Sequence, residues 1–196
     1  MSSISTENEG SVAALAAVTD NLRHRRTVAL FEDRPVVRQH VEDAIELARW
    51  APNHHLTEPW HFYLLGDKAR LSTLELVEDI VGKRANPDVG ARKRAKWEKV
   101  PGWVVVTCKR NEDKLIERED YAACCCAIHN FSLYLWQLGI GMKWSSGSII
   151  RDERYYDALG FNADQEFIVG LISYGYPKLI PTQKRKSASE IMTSLA

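Results

Sequence analysis

The 196-residue chain has no surplus of charge of either sign, since 26 lysines and arginines balance 26 aspartates and glutamates. That balance removes the general electrostatic argument for nucleic acid or an anionic membrane as partner, and the basic stretch Lys83–Lys99, with Trp97 and Trp103, is too local to restore it. No apolar run approaches the roughly 18–20 residues needed to cross a bilayer. The first residues, Met1–Gly10, are polar and acidic and lack the basic start and apolar core of a secretory signal. They read as a disordered leader over 1–10, ahead of a single domain over 11–196 in the cytoplasm. Spaced cysteine pairs are also missing. Cys108 stands alone, and Cys124, Cys125 and Cys126 are consecutive, about 100° apart around a helix and poor at chelating one metal. They read as small buried residues in a reducing compartment, and no metal site is expected. The phosphate-loop, G-x-S-x-G and H-E-x-x-H patterns are absent. Gly139-Ile-Gly141 follows a helix rather than a strand and has no third glycine, so a dinucleotide-binding turn is excluded as well.

What is present is an ordinary globular composition, 45% apolar and 27% charged. Apolar periodicity predicts helices over Ser11–Arg25 (capped by Ser11), Val37–Trp50, Lys68–Val81 and Arg151–Leu159. It also predicts a long, nearly uniformly apolar one over Asp120–Leu138. Short β-branched and aromatic runs predict strands at Trp60–Leu65, Gly102–Cys108, Met142–Trp144 and Phe167–Tyr174. The order of these elements implies an α+β layered domain.

Three segments carry chemistry. Arg25-Arg26-Thr27 follows the first helix, where two planar guanidiniums and a hydroxyl suit a phosphate, or simply complement the helix dipole. Trp50-Ala51-Pro52-Asn53-His54-His55-Leu56-Thr57-Glu58-Pro59-Trp60 is a rigid helix-to-strand junction rather than a flexible connector. Lys143-Trp144-Ser145-Ser146-Gly147 ends a strand in small polar residues, where backbone amides and an indole can approach a flat ring.

Together these segments resemble the nitroreductase family. The family's R-R-S signature corresponds to Arg25-Arg26-Thr27 with Phe31 beyond. Its A-P-S-x-x-N-x-Q-P-W run corresponds to Ala51–Trp60, and its terminal G-Y-P to Gly175-Tyr176-Pro177. The likeness extends over roughly Leu22–Lys186 and is nearest to a small bacterial subgroup with a P-[DN]-H motif. It implies a three-layer α-β-α sandwich around a mixed, largely antiparallel sheet, a homodimer, and FMN bound between subunits. Arg25, Arg26 and Thr27 would then hold the FMN phosphate and ribityl chain, with Lys184 or Arg185 adding a contact. Trp144, Ser145 and Ser146 would line the ring, and Trp50 and His54 would reach it from the other subunit. NADH or NADPH would deliver hydride to the flavin, and a small acceptor such as a nitroaromatic or quinone would collect it in a ping-pong cycle. No side chain is assigned as acid or nucleophile, because the flavin carries that chemistry. Three departures stand out: Ala29 replaces the last arginine of R-R-S-V-R, and Leu56 and Glu58 replace the usual asparagine and glutamine. They leave open a protein that holds FMN without turnover, or a specialised dehalogenating or flavin-fragmenting relative. Lys83–Lys99 reads either as a mobile lid over the flavin or as a solvated basic helix.

Overall fold

The computed structural model describes residues 4–195. The elements are α1 (Ile4–His24), α2 (Arg38–Ala48), β1 (Trp60–Leu64), α3 (Asp67–Arg84), α4 (Pro87–Glu98), β2 (Gly102–Lys109), α5 (Lys114–Gln137), β3 (Gly141–Ser145), α6 (Glu153–Leu159) and β4 (Glu166–Gly175). The four strands pair antiparallel in the order β1-β2-β4-β3, so the two most apolar strands are central. Among the described residues, the mixed character expected of the sheet survives as one isolated parallel bridge between Thr27 and Met142.

Strand alternation builds the layers. Val104, Val106 and Cys108 of β2 pack with Val41, Ala44 and Ala48 of α2 and with Cys124, Ile128, Phe131 and Leu135 of α5. Trp103 and Val105 face the other way, onto Leu74 and Val77 of α3, Tyr155 of α6 and Trp97 of α4. Two cores therefore sandwich the sheet, as the α-β-α reading requires.

Several boundaries differ from expectation, each for a local reason. No proline interrupts the start of α1, which begins at Ile4 and takes in most of the stretch read as a leader; Met1–Ser3 lie outside the described residues. Ser11 is thus interior to the helix rather than its cap. Asp113 starts α5 six residues early, its carboxylate accepting from the amides of Leu115 and Ile116. The helix is buried on one side only, with Tyr121, Ala122, Cys126 and His129 exposed. The cysteine expectation accordingly holds for Cys108 and Cys124, whereas Cys126 is exposed.

The basic stretch is the end of α3 plus all of α4, separated where Asn86 caps α4 and Pro87 occupies its first turn. The two helices meet glycine to glycine. A Cβ on Gly90 would stand 2.5 Å from the Glu78 carbonyl oxygen and 3.0 Å from the Gly82 nitrogen. Arg94 bridges Glu78 and Glu98 at 2.9 and 3.0 Å. Alanine in a helix interior is normally better than glycine by about 1 kcal/mol, but prying apart a packed contact costs about 1–3 kcal/mol. With backbone atoms that close the cost falls at the upper end, a net loss of about 2 kcal/mol, and Gly90→Ala is therefore expected to lower Tm by about 4–8 °C in thermal unfolding. A Tm that holds or rises would show that this contact does not set the spacing of the two helices.

Candidate functional site

After α1 the chain does not turn away but runs along the edge of the sheet beside β3. The Val28 amide donates to the Met142 carbonyl at 2.9 Å, and Val28 is wholly buried. This approach needs Gly141, because a Cβ there would lie 2.4 Å from a Val28 methyl. Further on, the Glu32 amide donates to Tyr176 and the Lys178 amide to Leu30, tying the same segment to the chain beyond β4.

The result is a cleft of about 150 Å³ lined by Arg25, Thr27, Ile128, His129, Met142 and Trp144, among others. Its aromatic wall is fixed. The Trp144 indole N–H donates to the Val169 carbonyl at 3.1 Å, and the ring lies so close to Gly170 that a Cβ there would be 2.1 Å from Nε1. Its electrostatics are one-sided. Burial lowers the Arg25 pKa, and the neighbouring guanidiniums of Arg185 and Arg26 lower it further. Among the described residues, none of these three arginines forms an ion pair with a carboxylate; the arginines that do are elsewhere. Arg26 divides its role, donating to the carbonyls of Arg23 and Arg25 at 2.6 and 2.9 Å and so satisfying the end of α1. Partial burial, and then Arg25, push the His129 imidazole below the ordinary histidine range.

The sequence-derived candidates divide into groups. Arg25, Thr27 and Trp144 come together in this cleft, with Arg26 beside it. Ser145 turns to the opposite side of β3, and Ser146 is exposed in the turn after it. Of the two tail cations, Arg185 rather than Lys184 acts on Arg25; Lys184 is exposed.

Trp50 and His54 are elsewhere. Trp50 is exposed, with the Arg49 guanidinium 5.1 Å from its ring centre. His54 stacks on His55 and pairs with Glu119 at 2.8 Å. Glu119 and His129 are ten residues apart on α5, about 15 Å along its axis, so one chain does not bring His54 to the cleft. The loop that carries His54 is strained. His55, Leu56 and Glu58 have φ of 60°, 52° and 43° without being glycine, at a cost of order 1–3 kcal/mol each. Asn53 braces it, accepting from the Glu58 amide at 2.7 Å and donating to Thr57 Oγ1 at 2.9 Å. The Thr57 hydroxyl in turn donates to the buried Asp120 carboxylate. Sequence reading missed Asn53, Thr57 and Asp120; the one available signal was an asparagine ahead of non-glycine turn positions.

A wider cleft of about 760 Å³ lies at the far end of β1 and β2, lined by His61, Tyr63, Lys109 and Glu166 among others. There the Tyr63 hydroxyl donates to Glu166 at 2.9 Å, and burial followed by that carboxylate pushes its pKa up to about 12. The charges there are mixed, so this cleft lacks the one-sided field of the Arg25 site.

The chain as a whole can be set beside known proteins. Residues 22–176 match the model of the Nitroreductase family. A Bacillus subtilis (strain 168) protein with the provisional name NAD(P)H nitroreductase YfhC is 31% identical over 176 residues, 88% of this chain and 90% of its own length. The solved nitroreductase-like family protein of Bacillus cereus superposes with a TM-score of 0.83 at 27% identity, covering 91% of this chain and 95% of the other. The FMN-dependent nitroreductase NfnB of Mycobacterium smegmatis, solved with NADPH, superposes with a TM-score of 0.76 at 15% identity, covering 93% and 100%.

The His129 shift supplies a pH test. The folded state prefers the neutral ring, so the unfolded chain binds more protons, and this residue withdraws stability as pH falls through the unfolded value of about 6.5. Proton NMR of the His129 ring should give a midpoint below that value, moving upward when inorganic phosphate screens Arg25. A midpoint indifferent to phosphate would mean that anions do not enter the cleft.

Proposed function

The chain belongs to the nitroreductase family, and from that premise we propose that it is an FMN-dependent oxidoreductase that takes reducing equivalents from NADH or NADPH. The observation that carries this reading is Arg25 lining the cleft beside the fixed indole of Trp144, with the guanidiniums of Arg185 and Arg26 near enough to act on it and, among the described residues, no ion pair from any of the three to a carboxylate. Cations left uncompensated at a half-buried site favour an anion, and a guanidinium fork suits a phosphate. The residues present therefore fit FMN: Arg25 and Arg185 would hold the phosphate, Thr27 the ribityl chain, and Trp144 the ring, with Ser146 in the exposed turn beyond it. FMN, once bound, supplies the chemistry of accepting a hydride and passing electrons on. The protein's part is to orient the ring, wall it off with Trp144 and balance its charge. The proposed acceptor is a nitroaromatic, a quinone or a similar flat small molecule.

The proposed working form is a homodimer. Within one chain, Trp50 and Leu56 are exposed around a braced, strained loop away from the Arg25 cleft. The exposed side of α1 carries Val12, Leu15, Val18 and Leu22 at helical spacing. A second copy seated on these surfaces would bring its His54 and Trp50 toward the cleft. The domain is proposed to run over 11–196, in the cytoplasm, where four unpaired cysteines are at home. No described helix is long and apolar enough to cross a membrane.

The purified protein is expected to be yellow, with the absorption bands of oxidised flavin that bleach when NADH or NADPH is added without oxygen. Arg25→Gln combined with Arg185→Gln should weaken FMN about 10- to 100-fold, the loss of one or two charge-assisted hydrogen bonds. Riboflavin, which lacks the phosphate, should be nearly unaffected. Equal weakening of both ligands would remove the phosphate assignment, and FMN retained without bleaching would make the protein a carrier rather than an enzyme.

A further inference from the structure

Toward the β1 edge of the sheet, the wide cleft holds an ion pair that does not close. Lys109 of β2 and Glu166 of β4 are register partners, and strand alternation puts both on the face that carries Trp103, Val105 and Ile168. Opposite charges directly across an antiparallel pair stand about 4.5–5.5 Å apart at Cβ and ordinarily attract one another into contact. Here the Glu166 carboxylate is drawn elsewhere. Tyr63 reaches over β2 from β1, and its hydroxyl donates to the two carboxylate oxygens at 2.9 and 3.2 Å. The Tyr63 ring is itself held against Phe161, with ring centres 4.3 Å apart. Among the described residues the lysines in ion pairs are Lys83 and Lys114, so the Lys109 ammonium has no carboxylate within 4.0 Å.

Two further features of the cleft point to a ligand. Thr107 lies two residues before Lys109 on the same face of β2, is 1% exposed, and lines the cleft with a hydroxyl oxygen that has no hydrogen-bond partner. A buried hydroxyl left in that state favours a guest that brings a partner. The lining also carries more unpaired acid than unpaired base. Among the described residues Glu58, Glu112 and Asp164 form no ion pair, whereas the other two permanent cations, Arg110 and Lys114, both turn to Glu117, at 3.9 and 3.2 Å. We propose that this cleft, of about 760 Å³, binds an α-amino acid with a basic side chain. Its ammonium lies on Glu166 and Thr107, its carboxylate on Lys109, and its cationic end among the carboxylates of the rim. Such a ligand completes the open pair with both of its charges at once. The site stands apart from the FMN reading, because β1 and β3 are opposite edges of the sheet with β2 and β4 between them.

Calorimetric titration of the full-length protein reads each contact separately. The probes are L-arginine, agmatine (which lacks the carboxylate), Nα-acetyl-L-arginine (which lacks the ammonium) and L-glutamate (whose side chain has the opposite charge). Arginine should bind saturably. Each truncated probe should bind about tenfold more weakly, the loss of one charge-assisted contact, and glutamate weakest of all. Lys109→Gln, at an exposed position, should lower arginine affinity about tenfold and leave agmatine unchanged, and Lys109→Arg should restore it. Tyr63→Phe, which releases Glu166 to pair with Lys109, should weaken arginine as well. Absence of saturable arginine binding to the wild type would overturn the proposal. So would equal affinity for arginine and agmatine, or an arginine affinity indifferent to Lys109→Gln, either of which would leave an acidic surface that collects amines.

Discussion

The Arg25 cleft depends on the contact between Val28 and Gly141. Val28 is fully buried against a glycine that has no room for a methyl group, and its amide is bonded to Met142. This fastens the segment after α1 to the sheet edge at one point. Thr27, one residue before, and Arg25 then border one side of β3, and Ala29, one residue after, borders the other. A shift of the segment by one residue would turn Val28 out of its buried seat and put Thr27 or Ala29 in its place. Burying Val28 is worth about 1.5–3 kcal/mol, enough to hold the register against the repulsion among the cations it gathers.

Strain and bracing repeat that logic in the loop after α2. Three left-handed non-glycine residues are costly in isolation, and surface loops rarely keep them without support. Here one asparagine side chain closes two hydrogen bonds across the turn, and a threonine passes the restraint to a buried aspartate on α5. Asp120 gains a partner for a carboxylate that would be expensive to bury alone. The exposed Leu56 and Trp50 are thus presented on a stiff platform anchored to the same helix that lines the cleft.

Much of this was legible in the residues. β2 and β4 announced themselves by β-branched runs between glycines and charges, and Pro52 and Pro59 marked the junction between α2 and β1. Arg25-Arg26-Thr27 was readable as a phosphate clamp because its donors are consecutive. What was not readable depends on tertiary placement. The preference for Arg185 over Lys184 depends on the path of a tail with no internal periodicity. The seat of α4 beside β3 was hidden in a stretch whose charge suggested solvent. Its fixed position comes from two glycines touching across helices, a contact that leaves no trace in apolar patterning. The early starts of α1 and α5 follow from local capping and the absence of breakers, effects too small to outweigh apolar periodicity in a sequence window.

The clamped indole has a kinetic consequence. Trp144 is held from behind by a backbone carbonyl and from the side by a glycine that admits nothing larger than hydrogen. Such a wall neither swings aside to admit a ligand nor closes after it. Little ordering entropy is left for the wall itself to surrender when a flat guest arrives. Affinity in such a seat is therefore expressed as residence time, set by how slowly the guest leaves a surface shaped before it came.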